Sequence, residues 1–592
     1  MVDMVHVTIN GRTCEIEKDA TVLEAARKAN INIPTLCYLK DINKIGACRM
    51  CLVEIDGMRA LQASCVMPVR DGMVIATNSK RVREARKMNL QLILSNHVRD
   101  CFQCIRNNSC ELRKLAGELG IATIPFETEP TECTTDNSSP SMIRNNKKCI
   151  LCRRCIAACK NIQRIEAITA RNRGIHTTIG GSFDRPIDDT ECVLCGQCIA
   201  ACPTGALAEK RASAQVFKAL DNPKKHVVVQ IAPAVRAALG EEFDLPFGTN
   251  VTGKMVAAAK ILGFNKVFDT NFGADLTIME EGAELLHRIK NKGTLPMITS
   301  CSPGWIKYCE HFYPDFIDHL STCKSPHEMF GAIIKSYYAK KENIKKDNIV
   351  TVSIMPCVAK KYEAQREELQ VDGLRDVDYV LTTREFAAMI KSASIDFSML
   401  EEETFDTFYG DTGAGVIFGA TGGVMEAALR TVADTLSDKP IKDVDFVSTR
   451  GPRGTKEVTV TVGDTTLRGL VVSGVGNAKE IFNAMRAGEK SKYQFIEVMG
   501  CPGGCIMGGG QPIVGALTRE KVDVFSKRAS VLYTADKQAP VRKSHENPDI
   551  ISLYDAFLQE PNSKIAHKYL HTHFTPRERF GTLFRSSNEK IC

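Results

Sequence analysis

The sequence predicts a multidomain protein of α+β and α/β class, with small cysteine-rich units ahead of one large α/β domain. Three observations carry this. The 24 cysteines of the 592-residue chain fall in tight groups. An alternating apolar pattern, Val5, Val7, Ile9 then Cys14 and Ile16, brackets an Asn10-Gly11 hairpin turn and is followed by a helical stretch from Thr21 to Ala29, which reads as a β-grasp unit. From about His226, apolar runs such as VVVQIA and FIEVM alternate with helical stretches, as buried strands of a parallel sheet do.

Composition narrows the class. A secreted disulfide scaffold does not suit so long a chain, which is 44% hydrophobic and has no apolar leader after Met1. The thiols are therefore expected to be ligands in a reducing cytoplasm. No run of about 18 uncharged apolar residues is present, so no membrane span is expected. The 77 basic and 70 acidic residues leave +7, which points to no nucleic acid and suits docking of acidic carriers.

The first unit, residues 1–80, presents Cys37, Cys48, Cys51 and Cys65, four thiols suited to a 2Fe-2S cluster or a zinc ion. Their surroundings resemble the 2Fe-2S domain of respiratory complex I and of hydrogenase chains, which favours iron. Residues 81–137 hold a basic helical segment that ends at His97, then Cys101, Cys104 and Cys110. That H-x3-C-x2-C-x5-C pattern resembles the His-ligated 4Fe-4S site of the same families. Imidazole in place of a thiolate makes a cluster less negative and tends to raise its potential.

Residues 138–213 carry the strongest signal, a duplicated C-x2-C-x2-C-x3-C at Cys149, Cys152, Cys155, Cys159 and at Cys192, Cys195, Cys198, Cys202. In the two-cluster bacterial ferredoxin repeat the fourth cysteine of each run serves the other cluster. Cys149, Cys152 and Cys155 then join Cys202, and Cys192, Cys195 and Cys198 join Cys159. A zinc ribbon would leave four thiols unexplained. The stretch SGVGNAKE, with Gly474 and Gly476, is only a partial dinucleotide fingerprint.

In residues 214–592, TSCSPGW (Thr299–Trp305), MPCVAKKYE (Met355–Glu363) and EVMGCPGGCIMGGGQP (Glu497–Pro512) each follow a strand-like run. They resemble the three signature motifs of the iron-only (FeFe) hydrogenases, and with the upstream groups the resemblance covers essentially the whole chain. It implies a large α/β domain holding the H-cluster, a 4Fe-4S cubane joined to a two-iron unit with CO, cyanide and a dithiolate amine, and a small-subunit-like tail over about 540–592. Cys357, Cys501 and Cys505 match cubane ligands, Met355 and Met499 line the two-iron unit, and Lys360 matches the cyanide-binding lysine. Gly503, Gly504, Gly508, Gly509 and Gly510 are expected to let backbone pack against the inorganic centre.

By pattern alone Leu276, Met279, Ala283, Leu286 and Ile289 form an apolar helix face, and Glu281, Glu284 and Arg288 a solvated one. The resemblance reverses this, because Glu281, Glu284, Ser321 and Cys301 match the family's proton relay. Two departures stand out. Where the family has adjacent cysteines, a relay thiol and a cubane ligand, this chain has Cys301 and Ser302, so Ser302 or a shifted Cys301 must be the fourth ligand. Ala234 stands where some members place a serine. Cys14, Cys133, Cys309, Cys323 and Cys592 match no ligand position and read as structural.

The implied activity is reversible interconversion of hydrogen with protons and electrons. The implied cofactors are one 2Fe-2S cluster, three accessory 4Fe-4S clusters and the H-cluster. Partners would be ferredoxin or flavin-bearing NAD(P)-linked subunits, and maturation proteins. The competing readings are a hydrogenase-like sensor, an iron-sulfur assembly protein, and an electron-input chain that shares only the first 210 residues.

Overall fold

The computed structural model describes residues 3–126, 135–407, 410–437, 441–452, 454–462, 465–489 and 491–577. Cys133 and Cys592 lie outside them.

Strands Met4–Ile9 and Arg12–Glu17 pair antiparallel about Asn10 (φ 48) and Gly11 (φ 78), the left-handed pair that a two-residue hairpin needs. Together with Leu52–Ile55, Gln62–Ala63 and Val74–Ala76 they form one five-stranded sheet. Helix Val22–Lys28 starts from a capping box between Thr21 and Glu24, and its Val22, Leu23, Ala25 and Ala26 join Val7, Ile9 and Val53 in the core. The basic helix Lys80–Ser95 stops short of His97, with Asn96 as its cap, so the histidine stands in the turn beyond the helix rather than at its last residue.

The duplication has a backbone counterpart. Leu151 and Arg153 in the first cysteine run, and Leu194 and Gly196 in the second, all take positive φ. Short helices Arg154–Ala157 and Gln197–Ala201 follow directly.

The large domain contains two four-stranded sheets. In the first, strands Lys266–Asp269, His226–Ile231, Ile349–Met355 and Tyr379–Thr382 lie in that order and all run parallel. Every residue of Ile349–Met355 is buried, as expected for a strand covered on both faces. Chain order reverses beside His226–Ile231, and a crevice at such a switch point is where α/β sheets bind ligands. In the second, Met297–Ile298, Phe495–Met499 and Thr465–Ser473 run parallel, and Thr455–Val462 closes the edge antiparallel.

Helix Asn271–Lys290 differs from the amphipathic reading. Leu276 is buried as expected, but so are Glu280, Glu281 and Glu284 on the acidic side, because helices Pro326–Ile333, Gly413–Ile417, Gly423–Leu436 and the C-terminal segment surround it. In SGVGNAKE, Gly474 sits between a strand and helix Val475–Arg486 and Gly476 lies in that helix's first turn, yet a β-carbon on Gly476 would clash with the Ile162 carbonyl oxygen. That glycine packs a helix against the duplicated cysteine unit.

Candidate active site and its electron path

The first cysteine group converges. The Cys37 amide donates to Cys48 Sγ at 3.4 Å, and Cys51 Sγ lies 3.3 Å from Cys65 Sγ. In the duplicated unit, thiols of the two runs lie within one another's field. Burial first, then Cys152, Cys202 and Cys149, push the Cys155 thiol far up, while burial, Cys192 and Cys159 raise Cys195. Such thiols ionise only beside a cation, which fits an iron cluster. His97 Nδ1 is buried without a hydrogen-bond partner among the described residues, and burial with the nearby Lys148 lowers the imidazole to about 4. A neutral ring with an orphaned nitrogen is what a metal takes as ligand.

These sites touch in sequence. Asn43 bonds the carbonyls of both Cys37 and Cys152. A β-carbon on Gly205 would meet Cys104 Sγ at 2.5 Å, which puts the His97 group against the loop of Cys202. Cys155 and Cys198 lie within each other's field, and Cys501 Sγ is 3.9 Å from the Cys195 carbonyl oxygen.

The last contact opens onto a cavity of about 100 Å³ at the carboxyl ends of both sheets. Ala232–Ala234 follow strand His226–Ile231, Cys357 follows Ile349–Met355, Cys301 and Ser302 follow Met297–Ile298, and Cys501 and Cys505 follow Phe495–Met499. Met355, Met499, Lys360, Phe418 and His327 complete the wall. Ala234 is among the lining residues and is fully buried. The thiols of Cys195, Cys301, Cys357, Cys501 and Cys505, the hydroxyls of Ser302 and Thr270, Lys360, His327 and an otherwise apolar wall fit an iron-sulfur centre that carries small anionic ligands.

Cys301 and Ser302 face different partners. Burial, then Glu281, push the Cys301 thiol up, while Lys360 acts against them. The Ser302 hydroxyl accepts from the Gly500 amide at 3.0 Å, on the loop that bears Cys501. Pro303 at the first helical position fixes the start of helix Pro303–Phe312, and the Ser302 hydroxyl makes no bond to it.

Lys360 Nζ donates to Glu363 Oε2 at 2.6 Å and to the Cys301 carbonyl at 3.1 Å. Burial works most strongly against its charge, but Glu363, Cys357 and Cys301 together outweigh it and the net direction is up. Glu363 is held in turn by His327 Nε2 at 2.6 Å. Sequence reasoning did not single out His327 or Glu363. The only signal was the Lys360 to Glu363 spacing, one helical turn inside the second motif.

Behind Cys301, Glu281 is buried with neither oxygen hydrogen-bonded in good geometry among the described residues. Burial and the neighbouring Glu284 push its carboxyl up to about 8. Ser321 Oγ donates to Glu284 Oε2 at 2.8 Å, and Arg288 donates to Glu284 Oε1 at 2.6 Å. Arg288 is only part-buried, so this row of groups leads from the cavity outward.

The glycines pack the protein's own loops, and Gly504 and Gly508 line the cavity as well. A β-carbon on Gly504 (φ +84) would come 2.5 Å from the Thr421 amide, and one on Gly509 would come 2.3 Å from the Cys195 carbonyl oxygen. The close approach is to neighbouring protein backbone, so these glycines let three loops interlock. Among the leftover thiols, Cys14 and Cys309 are buried in apolar clusters, and Cys323 is buried 3.9 Å from Glu284.

Residues 225–509 match the C-terminal domain of the iron-only hydrogenase large subunit, and 522–577 match the iron hydrogenase small subunit. Residues 2–80 match a 2Fe-2S iron-sulfur cluster binding domain, 86–125 the iron-sulfur binding region of NADH-ubiquinone oxidoreductase G, and 148–206 a 4Fe-4S dicluster domain. The NADP-reducing hydrogenase subunit HndD of Solidesulfovibrio fructosivorans is 48% identical over 588 residues, 97% of this chain and 100% of that one. The chain belongs to the iron-only hydrogenase family. Iron hydrogenase 1 of Clostridium pasteurianum is 44% identical, over 96% of this chain and 99% of its own. Apo HydA1, an [FeFe]-hydrogenase from Chlamydomonas reinhardtii, superposes with a TM-score of 0.55 at 41% identity, over 61% of this hydrogenase and 98% of that chain. A cytosolic Fe-S cluster assembly factor of Xenopus tropicalis is more distant, at 31% identity over 64% of this chain. Among the described residues no helix is long and apolar enough to cross a membrane.

Proposed function

We propose that this hydrogenase interconverts hydrogen with protons and electrons at the Cys301 cavity, and passes the electrons through four accessory clusters. The observation that carries the reading is the placement of Cys301 in the cavity wall with Lys360 and Cys505, close to the buried Glu281. Cys357, Cys501, Cys505 and Ser302 would hold the cubane, and Lys360, Met355 and Met499 would surround the two-iron unit. When bound, that centre supplies heterolytic cleavage of hydrogen. The chain does the rest. The cavity wall excludes water, Lys360 keeps its charge against Glu363, and Cys301 accepts the proton at Sγ. Glu281, Ser321 and Glu284 carry it outward. A carboxyl near 8 both takes and releases protons close to neutrality, as a relay requires.

The four accessory sets would be Cys37, Cys48, Cys51 and Cys65 for a 2Fe-2S cluster, and His97, Cys101, Cys104 and Cys110 for a 4Fe-4S cluster. Cys149, Cys152, Cys155 and Cys202, and Cys192, Cys195, Cys198 and Cys159, would each hold another. Boundaries near residues 80, 137 and 213 follow from this division. Likeness to HndD supports flavin-bearing, NADP-linked subunits as electron partners, and ferredoxin is the alternative carrier. Infrared bands of iron-bound CO and cyanide in maturated protein, together with hydrogen evolution, test the reading. Their absence would defeat it.

Two further results are expected. A fragment ending near residue 213 should bind iron and be redox-active under anaerobic reconstitution, yet evolve no hydrogen. Zinc in place of iron would refute the electron path. Glu281→Gln should cut turnover about 100-fold or more while leaving the infrared bands intact. The same variant has a stability signature in metal-free protein. A carboxyl raised from its ordinary 4.5 to about 8 stabilises the fold fully below pH 4.5 and loses that contribution as pH rises through 8, by about 1.4 kcal/mol per unit. The amide has no such slope, so melting temperatures of the variant should fall less between pH 5 and 8. Equal slopes would place Glu281 in water.

A further inference from the structure

Asn43 lies in the loop after Cys37 and is 3% exposed. Its Nδ2 donates to the Cys37 carbonyl at 2.7 Å and to the Cys152 carbonyl at 3.0 Å. A carboxamide nitrogen carries two hydrogens, so each carbonyl receives its own. The loop itself is fixed, since the Asn43 amide bonds the Leu39 carbonyl at 2.8 Å and the Leu39 amide bonds the Asn43 carbonyl at 3.0 Å. Leu39 in turn packs on Ala158, Ala201 and Ala516. The side chain therefore spans two redox units from a rigid base, and is spent on nothing else.

We infer that Asn43 is a positioning residue for electron transfer. It fixes the gap between the 2Fe-2S site and the site of Cys149, Cys152, Cys155 and Cys202, and supplies a hydrogen-bonded bridge across it. The inference rests on the ligand sets proposed above. Tunnelling falls steeply with separation, so a junction between domains needs a tie that does not breathe. A carboxamide supplies that tie without placing a charge beside either cluster. The device recurs at the last junction. Gln163, 1% exposed, donates to the Gly500 carbonyl at 2.9 Å, next to Cys501, and its side chain also reaches Cys195. At both places one buried amide touches the two neighbouring sites.

The test uses the full chain, reconstituted anaerobically, with Asn43→Asp and Asn43→Ala. Asp keeps the shape but turns an acceptor toward two carbonyls, and Ala removes the bridge without adding repulsion. Iron content and the electron-spin signal of each cluster should match wild type. The magnetic interaction between the 2Fe-2S cluster and its neighbour should weaken, and electron equilibration after flash reduction should slow several-fold. If Asn43→Asp does not fold, Asn43→Ala decides alone. A lower melting temperature with wild-type interaction and rate would make Asn43 merely structural and overturn the inference. Cys37→Ala separates the two claims. A retained 2Fe-2S signal there would sink the ligand set and the inference with it, whereas its loss alongside unchanged coupling in the Asn43 variants would sink the inference alone.

Discussion

Cys301→Ala protein should carry a complete cofactor, with unchanged infrared bands, and turn over hydrogen at least about 100-fold more slowly than wild type. The thiol lines the cavity and lies near Glu281, Lys360 and Cys505. Alanine leaves a gap there; of the other proton-exchanging side chains in the wall, His327 is bonded to Glu363, and Cys357, Cys501 and Cys505 are the proposed cubane ligands. Lys360 does not substitute, because Glu363 holds its ammonium in the charged form. Turnover close to wild type in this variant would remove Cys301 from the proton path.

Ser302 should be the fourth cubane ligand, and its variants should move the cubane's redox behaviour rather than the proton path. The hydroxyl accepts from the Gly500 amide on the Cys501 loop, while Cys301 lies near Glu281, an arrangement that suits Ser302 as ligand and Cys301 as relay. Iron prefers soft thiolate, and an alkoxide ligand comes from a far weaker acid, which makes a serine-ligated centre harder to reduce. Ser302→Cys should therefore raise the cubane potential, and Ser302→Ala should perturb its electron-spin signals. Loss of the cubane in Cys301→Ala, with normal spectra in Ser302→Ala, would make Cys301 the ligand and leave the relay without its inner carrier.

Much of the fold could be read before any coordinates. Asn10-Gly11 set a hairpin, the doubled cysteine run set two like loops, and VVVQIA and FIEVM set buried parallel strands, because each signal is local. Glu281 resisted pattern reading for the opposite reason. Its burial is imposed by helices that arrive from distant parts of the chain, and only the resemblance recovered its role. The glycines of the last motif stand out in the sequence, and Gly504 and Gly508 line the cavity, but that these loops also sit against Thr421, Pro356 and Cys195 is a matter of which loops meet. His327, Asn43 and Gln163 carry no spacing signature at all, and Glu363 only its one-turn distance from Lys360. Each acts through one partner that is remote in sequence or that only the folded geometry identifies.

The cavity's walls come from two sheets that share no strand, with Cys357 on one and Ser302, Cys501 and Cys505 on the other. A cluster bound there is a rivet. Anything bound to the closed arrangement and not to the parted one stabilises closure by mass action, so the mutual docking of the two sheets and the loading of iron are a single equilibrium seen from two sides. Loss of iron should consequently be felt first along this seam, far from either sheet's own hydrogen bonds.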